Sequence, residues 1–528
     1  MITRTSTFIN ILSFTSFRLS SWMVCSFLLF STSILRAQQV TSLPNIVYIL
    51  ADDLGYGDVS INNPQGKINT PHIDGLASQG MRFTDAHTTS AVCTPSRYSL
   101  LTGRYPWRSR LPVGVLHGYS RTLIEDNLPT VATLLKTSAY HTGVVGKWHL
   151  GLDWVPKAAF KDSIKPEYNK DNLYGISNDM IPEQIDFTKP VARGPNTAGF
   201  DYSFILPASL DMAPYCYLEN DVLTELPTGY TKGNKLESGY TGPFWREGLM
   251  SPSFDFYNVL PTFTNKANGF IKQQAGSKNP FFLYFPMPAP HTPWLPTPGY
   301  AGKSKAGEYG DYVQMVDDAV GQVLHTLDSM GFSKNTLVIF SSDNGPYWRE
   351  NFVAQFNHHA AGQFRGMKGD AFEGGHRVPF IVRYPGKVVA GSVSNATTTL
   401  ANLVATCSEL VGNHSGKFIT EDSYSILPIL TGKASNVKGQ PAVVHSSSKG
   451  FYAIRKGSWK LITQLGSGGF TAPVFVKAQP GEPIGQLYNL DTDIHEDNNV
   501  YNQNPEKVKE LTALLEKIKN APKGKQFH

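Results

Sequence analysis

A chain of 528 residues, 41% hydrophobic and 17% charged, has room for one large domain and a smaller one, and this balance excludes both a disordered and a membrane-embedded protein. The formal net charge is +5, but the first 37 residues hold Arg4, Arg18 and Arg36 and no acid, so the remainder carries only +2. No basic stripe is left for nucleic acid, and a polyanionic substrate has to be met by local charge.

Residues 1–37 have the build of a secretory signal peptide. Arg4 and Arg18 precede the apolar stretch 22–30, and Ala37 stands before the polar Gln38 and Gln39. The apolar run is too short for a comfortable membrane span. The expectation is export to the periplasm or the exterior without stable membrane insertion; an uncleaved anchor, or a lipid on Cys25, is the weaker reading. Beyond the signal stand Cys93, Cys216 and Cys407. Three is an odd number for an exported protein, so at least one has no partner within the chain; whether Cys216 and Cys407 pair stays open.

The next elements alternate. An apolar run at 46–50 leads into Asp52 and Asp53, and a helical pattern covers 72–81. A second helix is expected over 128–138, then a β-rich run at 142–145 leading into Lys147 and His149. The stretch 151–253 reads as loop, rich in Pro, Asn, Asp and Tyr. A helix over 262–274 is followed by the run 281–285 and His291, and a long helix over 309–330 by the run 337–340 with Asp343 and Asn344. Apolar strands alternating with helices predict an α/β domain, here 44–433, with a largely parallel sheet covered on both faces. Groups just past the carboxyl ends of such strands gather at one rim, so these four polar clusters belong to one site. A polar linker near 431–439 leads into short strands at 451–454, 459–462 and 486–488 and a helix over 505–520, a small α+β subdomain over 434–528.

The segment Cys93-Thr-Pro95-Ser96-Arg97, followed by Leu101-Thr102-Gly103-Arg104, is the chemical centre. Pro95 and Ser96 suit the start of a helix, which puts Cys93 by the positive end where anions bind. Arg97 adds a planar fork suited to sulfate or phosphate oxygens. From the residues alone, Cys93 is either a nucleophile in an anion pocket or a buried structural cysteine. Asp52, Asp53, Asp343 and Asn344 supply only oxygen, which suits calcium, with magnesium as the alternative; zinc normally takes His or Cys. Either pair alone reads as a turn or a cap, but two pairs placed directly after apolar strands favour a metal.

In order, the chain carries Asp52-Asp53-Leu-Gly-Tyr-Gly-Asp58, Cys93-x-Pro95-x-Arg97 with Thr102-Gly103, Gly146-Lys147-Trp148-His149-Leu-Gly151 and Pro290-His291-Thr-Pro293. Ser342-Asp343-Asn344-Gly345 and Arg365-Gly-Met-Lys368 with Glu373-Gly-Gly-His376-Arg377 complete the series. This order resembles the type I, formylglycine-dependent sulfatases, which include arylsulfatases and bacterial carbohydrate sulfatases. The resemblance implies an alkaline-phosphatase-like α/β/α sandwich and oxidation of Cys93 to formylglycine by a maturation enzyme. It implies that the hydrated aldehyde at Cys93 joins Asp52, Asp53, Asp343 and Asn344 around the cation and attacks sulfur in line. Arg97 and Lys147 then hold position 93 and bind sulfate, His291 protonates the leaving oxygen beside Lys368, and His149 removes the second diol proton so that sulfate is expelled. Asp343 is a candidate acceptor for the proton of the attacking oxygen. Taken singly, His149 reads as a packed core residue, Lys368 as a surface lysine and Arg377 as structural.

The phrase Pro207-Ala-Ser-Leu-Asp211-Met-Ala-Pro-Tyr215 with Glu219-Asn-Asp221 resembles carbohydrate sulfatases acting on galactose-type sugars, 6-O-sulfates among them. It makes Asp211 and His359 candidates for binding sugar hydroxyls, and Phe244, Trp245, Trp294, Tyr347 and Trp348 candidates for stacking, though loop aromatics also pack locally. Two other classes stand beside the sulfatase. A phosphoester or phosphonate hydrolase of the same fold with two metals needs further His and Asp ligands and a Thr or Ser nucleophile. A non-catalytic binder of sulfated glycans is favoured if Cys93 stays a thiol.

Overall fold

Five parallel strands form the centre of the molecule, and their order explains the rest. The structure is a computed structural model describing residues 43–161, 180–234, 242–413 and 420–522; the expected signal peptide lies outside them. Across the central sheet the strands run Thr336–Ser342, Asn45–Asp52, Phe281–Pro290, His141–Lys147 and Tyr202–Leu206, each parallel to its neighbour. Phe380–Arg383 and Met81–Phe83 extend one side antiparallel, followed by Ser392–Ser394; Leu218–Glu219 and Val222–Leu223 extend the other, making ten strands.

Alternate residues of the middle strand face opposite layers, because side chains alternate across a strand. Val47, Ile49 and Ala51 join one core with Val259 and Phe263 of helix Val259–Gln273 and Val313, Val316 and Val320 of helix Gly307–Ser329. Helices Cys93–Thr102, Val131–Lys136 and Leu403–Leu410 contact one another in the layer on the other face. This is the doubly covered α/β sandwich the sequence predicts.

Two expectations need correction, and one open question is answered. The stretch 151–253 is not all loop: it contains the fifth parallel strand, whose five residues are too few to stand out among prolines and asparagines. The helix expected to reach residue 81 ends at Ser78, and Met81 opens a strand. Gly80 permits this, since a Cβ there would lie 2.2 Å from the Val382 carbonyl oxygen of the adjacent strand. Cys216 and Cys407 are both free: Cys407 lies by Tyr48 and Tyr140, whereas Cys216 lies by Tyr119. Among the described residues no helix is long and apolar enough to cross a membrane.

After the central sheet comes a four-stranded antiparallel sheet, Val443–Ser446, Tyr452–Lys456, Trp459–Ile462 and Gln486–Asn489, with helix Pro505–Lys519. It joins the larger part of the chain through buried charge. Lys460 Nζ lies 3.0 Å from Glu373 Oε1 and 2.8 Å from Glu496 Oε1, and Arg377 and Arg455 each lie 2.6 Å from Asp85 Oδ1. Among them sit His87, His376 and His445, all buried. The rings of His376 and His445 stack 3.8 Å apart at 7°. Their in-plane lone pairs therefore run in parallel planes and do not converge on one ion, so the three histidines pack rather than chelate.

Burial holds all three imidazoles below the usual pKa, well below it for His376, with His445 and Lys460 adding repulsion, and for His445, with His87 and Lys460 adding theirs. The native state thus stays neutral where unfolded histidine takes up a proton, below about pH 6.5. The unfolded state then binds more protons, so stability falls as pH drops below that value, by up to about 1.4 kcal/mol per pH unit per histidine. A thermal melt series should show Tm level near pH 8 and falling from about pH 6.5 toward pH 5; a level Tm across that window contradicts the neutral, buried state.

Candidate active site

All five parallel strands end in polar groups at one rim. Strand Asn45–Asp52 delivers Asp52 and Asp53, with Asp53 in the left-handed region at φ 63°. Strand His141–Lys147 delivers Lys147 and then His149, also left-handed at φ 57°. Strand Phe281–Pro290 delivers His291, strand Thr336–Ser342 delivers Asp343 and Asn344, and strand Tyr202–Leu206 delivers Ser209 and Asp211. Non-glycine residues held at positive φ are uncommon, and they cluster where surrounding structure fixes a functional geometry.

Cys93 is the first residue of helix Cys93–Thr102, every residue of which is buried. Pro95 falls in the first turn, and the helix stops at Gly103, whose φ of 66° closes it with a bond from Gly103 N to Ser99 O. The helix start therefore presents its positive end at position 93.

Around that position the charges interlock. Lys147 Nζ donates to Asp52 Oδ2 at 2.6 Å and to Ser209 Oγ at 3.1 Å. Arg97 binds Asp343 Oδ2 through Nε at 2.9 Å and the Lys147 carbonyl through a terminal nitrogen at 3.0 Å. Lys368 Nζ donates to Asp53 Oδ2 at 2.8 Å, and Asn344 Nδ2 to Asp53 Oδ1 at 2.7 Å. Cys93 Sγ stands 3.7 Å from Asp52 Oδ1. Burial alone would raise the Asp52 carboxyl, but Lys147, His291 and Arg97 hold it well below the usual range. Asp343 moves the other way, raised by burial and by the negative charge of Asp52. Burial likewise pushes the Cys93 thiol up to about 12, Lys147 and Lys368 notwithstanding.

The two histidines differ in what they leave open. His149 Nε2 donates to the Leu116 carbonyl at 2.8 Å, so its Nδ1 is the unprotonated nitrogen, buried and, among the described residues, without a hydrogen-bond partner. Burial, with Lys147 and Arg97, keeps this ring neutral well below the usual imidazole pKa. His291 Nδ1 donates to the Thr292 carbonyl at 2.5 Å, which leaves Nε2 facing Asp53 Oδ2 at 3.7 Å.

A cleft of about 380 Å³ opens onto this cluster, lined among others by Asp53, Cys93, His149, Asp211, His291 and Lys368. Asp52, Arg97, Lys147, Asp343 and Asn344 stand behind that wall, fully buried. The donors suit a hard cation. Asn344 Oδ1 is buried with no hydrogen-bond partner among the described residues, and ligand atoms of Asp52, Asp53, Cys93 and His291 lie within 4.8 Å of one another. Crowding of Asp343 by Asp52 and Asp53 is what a dication relieves. Asp343 stands slightly apart from that foursome, its Oδ2 taken by Arg97 and its Oδ1 3.2 Å from Asp53 N.

Other expected residues divide. Asp211 lies in the cleft and pairs with Arg246, also in the cleft. His359 is exposed and does not line the cleft; its neighbour His358 is the buried one, 2.8 Å from Asp58. Phe244, Trp294 and Tyr347 line the cleft, while Trp245 stacks on Phe256 at 4.4 Å and Trp348 packs against Tyr309 and Phe352. Arg377 belongs to the buried network, paired with Glu373 and Asp85. Sequence reasoning missed Ser209 and Arg246. Ser209 follows the unrecognised fifth strand, which would have marked it; Arg246 comes from a loop with no such signal.

The family model described as Sulfatase matches residues 44–413. N-acetylgalactosamine-6-O-sulfatase of Bacteroides thetaiotaomicron is 35% identical over 516 residues, covering 91% of this chain and 94% of that one. Human arylsulfatase A is 31% identical over 423 residues, 79% of this chain and 74% of its own. A solved structure from B. thetaiotaomicron, reported for the metabolism of multiple glycosaminoglycans, superposes with a TM-score of 0.75 at 33% identity, covering 91% of this chain and all of that one. With one oxygen-rich cluster gathered at the ends of parallel strands and the family match running through every one of those ends, the chain belongs to the sulfatase family and is a sulfuric ester hydrolase.

Proposed function

We propose that this sulfatase removes an O-sulfate from a carbohydrate, a 6-O-sulfate on a galactose-type sugar, using calcium and a formylglycine made from Cys93. The observation that carries the chemistry is the position of Cys93 at a helix start, against Asp52, at the foot of a cleft lined by Lys368, His149 and His291. A thiol pushed up to about 12 is protonated at neutral pH and a poor nucleophile, which favours a modified residue over plain cysteine chemistry. The substrate reading rests on the N-acetylgalactosamine-6-O-sulfatase likeness, which spans nearly both chains, and on Asp211 in the cleft. We take 44–433 as the catalytic domain, 434–528 as the C-terminal subdomain, and the protein as exported, where a maturation enzyme has acted on it.

Asp52, Asp53, Asp343 and Asn344 would hold calcium, with magnesium as the alternative. The cation would supply positive charge to the sulfate oxygens, and the hydrated aldehyde two hydroxyls on one carbon, one to attack sulfur and one to expel it. The chain's own groups do the rest. Lys368 and Lys147 bring fixed positive charge to the sulfate side, and Arg97 locks Asp343 to the end of strand His141–Lys147. His149 Nδ1, neutral and unpartnered, accepts a proton near position 93. His291 keeps its Nδ1 proton on a carbonyl and presents Nε2 to the cleft, and in the doubly protonated ring it is the Nε2 proton that passes to the departing sugar oxygen.

A panel of regiodefined sulfated sugars tests this. Chelator-treated protein should lose activity and regain it best with calcium, and turnover on a galactose-type 6-sulfate should exceed that on its 4-sulfate by about 100-fold or more. Recovery by zinc alone would contradict the ligand assignment, and equal rates on both positions the substrate.

A further inference from the structure

One wall of the cleft is not used by the sulfate chemistry. Residues 465–476 form a hairpin outside the central sheet, in which Leu465 bridges Val476, Gly468 N donates to Val474 O at 2.8 Å and Ser467 N to Pro473 O at 3.0 Å. Asp370 clamps its tip. Oδ1 accepts from Phe470 N at 2.7 Å and Thr471 N at 3.1 Å, and Oδ2 from Thr471 Oγ1 at 2.5 Å. Asp370 stands two residues after Lys368, so the tip is fixed relative to the reacting groups. The Phe470 ring lies over Gly369, where a Cβ would come within 3.1–3.2 Å of three ring atoms, and it meets Tyr347 edge-on at 5.8 Å and 78°.

Held on two sides, Phe470 is still 44% exposed and lines the cleft. Val474, Phe475 and Val476 of the same hairpin are exposed as well, Phe475 to 62%. An exposed aromatic ring held in the wall of a largely apolar cleft marks a place where a ligand lies. A pyranose fits it: the C–H bonds on one sugar face are electropositive and meet the electronegative face of an aromatic ring.

We propose that Phe470, flanked by Tyr347, is the subsite for the sugar ring linked to the sulfated one, so that the enzyme prefers an oligosaccharide to a sulfated monosaccharide. This rests on the carbohydrate reading above. The test compares kcat/KM of the full-length enzyme for a sulfated monosaccharide and for a disaccharide carrying the same sulfated sugar. Wild type should favour the disaccharide by about tenfold or more. Phe470→Ala and Phe470→Leu, the second keeping apolar bulk without the aromatic face, should lose that preference, chiefly through KM, with the monosaccharide rate changed by less than about twofold. No preference in wild type, or equal losses on both sugars, overturns the subsite and leaves the carbohydrate reading standing. Cleavage of aryl sulfates with neither sugar attacked overturns that reading, and the subsite with it.

Discussion

Cys93→Ser protein should fold as wild type does, release at most one alcohol per enzyme molecule, and never reach steady turnover, with kcat down by about 10⁴-fold or more. Cys93 is small, and its neighbours Arg97, Asp52 and Lys147 are held by one another rather than by its sulfur. A serine hydroxyl therefore fits without disturbing the charges. It offers one oxygen on its carbon, so a sulfate transferred to it has no second hydroxyl to drive it off. A stopped-flow trace of alcohol release beside a sulfate assay reads both halves: a burst of alcohol without free sulfate is the expected result. Multiple turnovers releasing sulfate would rule out any need for two hydroxyls at position 93.

Lys460→Met should cost about 3–5 kcal/mol of stability, the usual loss when one partner of a buried ion pair is removed. Lys460 is fully buried between Glu373 and Glu496, neither of which has solvent to turn to. Burial raises the Glu496 carboxyl even with Lys460 in place, whereas Lys460 and Arg377 hold Glu373 well below its usual range despite burial. Without the lysine, one carboxylate takes up a proton or the sheet separates. The damage reaches the cluster by a short path, since Gly375, in the turn of helix Glu373–His376, accepts a bond from Gly345 N beside Asn344. Activity should fall together with Tm. Lys456→Ala, in the same sheet but exposed and paired with Glu510, should move stability by less than about 1 kcal/mol. A Lys460→Met protein as stable as the Lys456 variant would show that the buried charges do not hold the sheet in place.

How much of this could be read from the chain depends on whether the signal is local. Four parallel strands were legible because each is an apolar run leading into Asp, Lys, His or Asn, and their polar ends are the residues the cluster brings together. The fifth strand was not, and Ser209 went with it. The choice between His358 and His359 turns on backbone direction after Asn357, left-handed at φ 48°, and no composition reports that. The network of His87, His376, His445 and Lys460 joins residues up to several hundred positions apart; nothing periodic links them, so only the folded chain displays it.

The hairpin clamped by Asp370 separates two kinds of change. Most groups that handle sulfate hang from buried strand ends or from the buried helix Cys93–Thr102, where a substitution strains the core, whereas the ring beside the cleft hangs from a surface turn secured by one carboxylate. Descendants of this chain are therefore free to vary the length or tip of residues 465–476, and with it the polymer they accept, while the hydrolytic machinery is inherited intact.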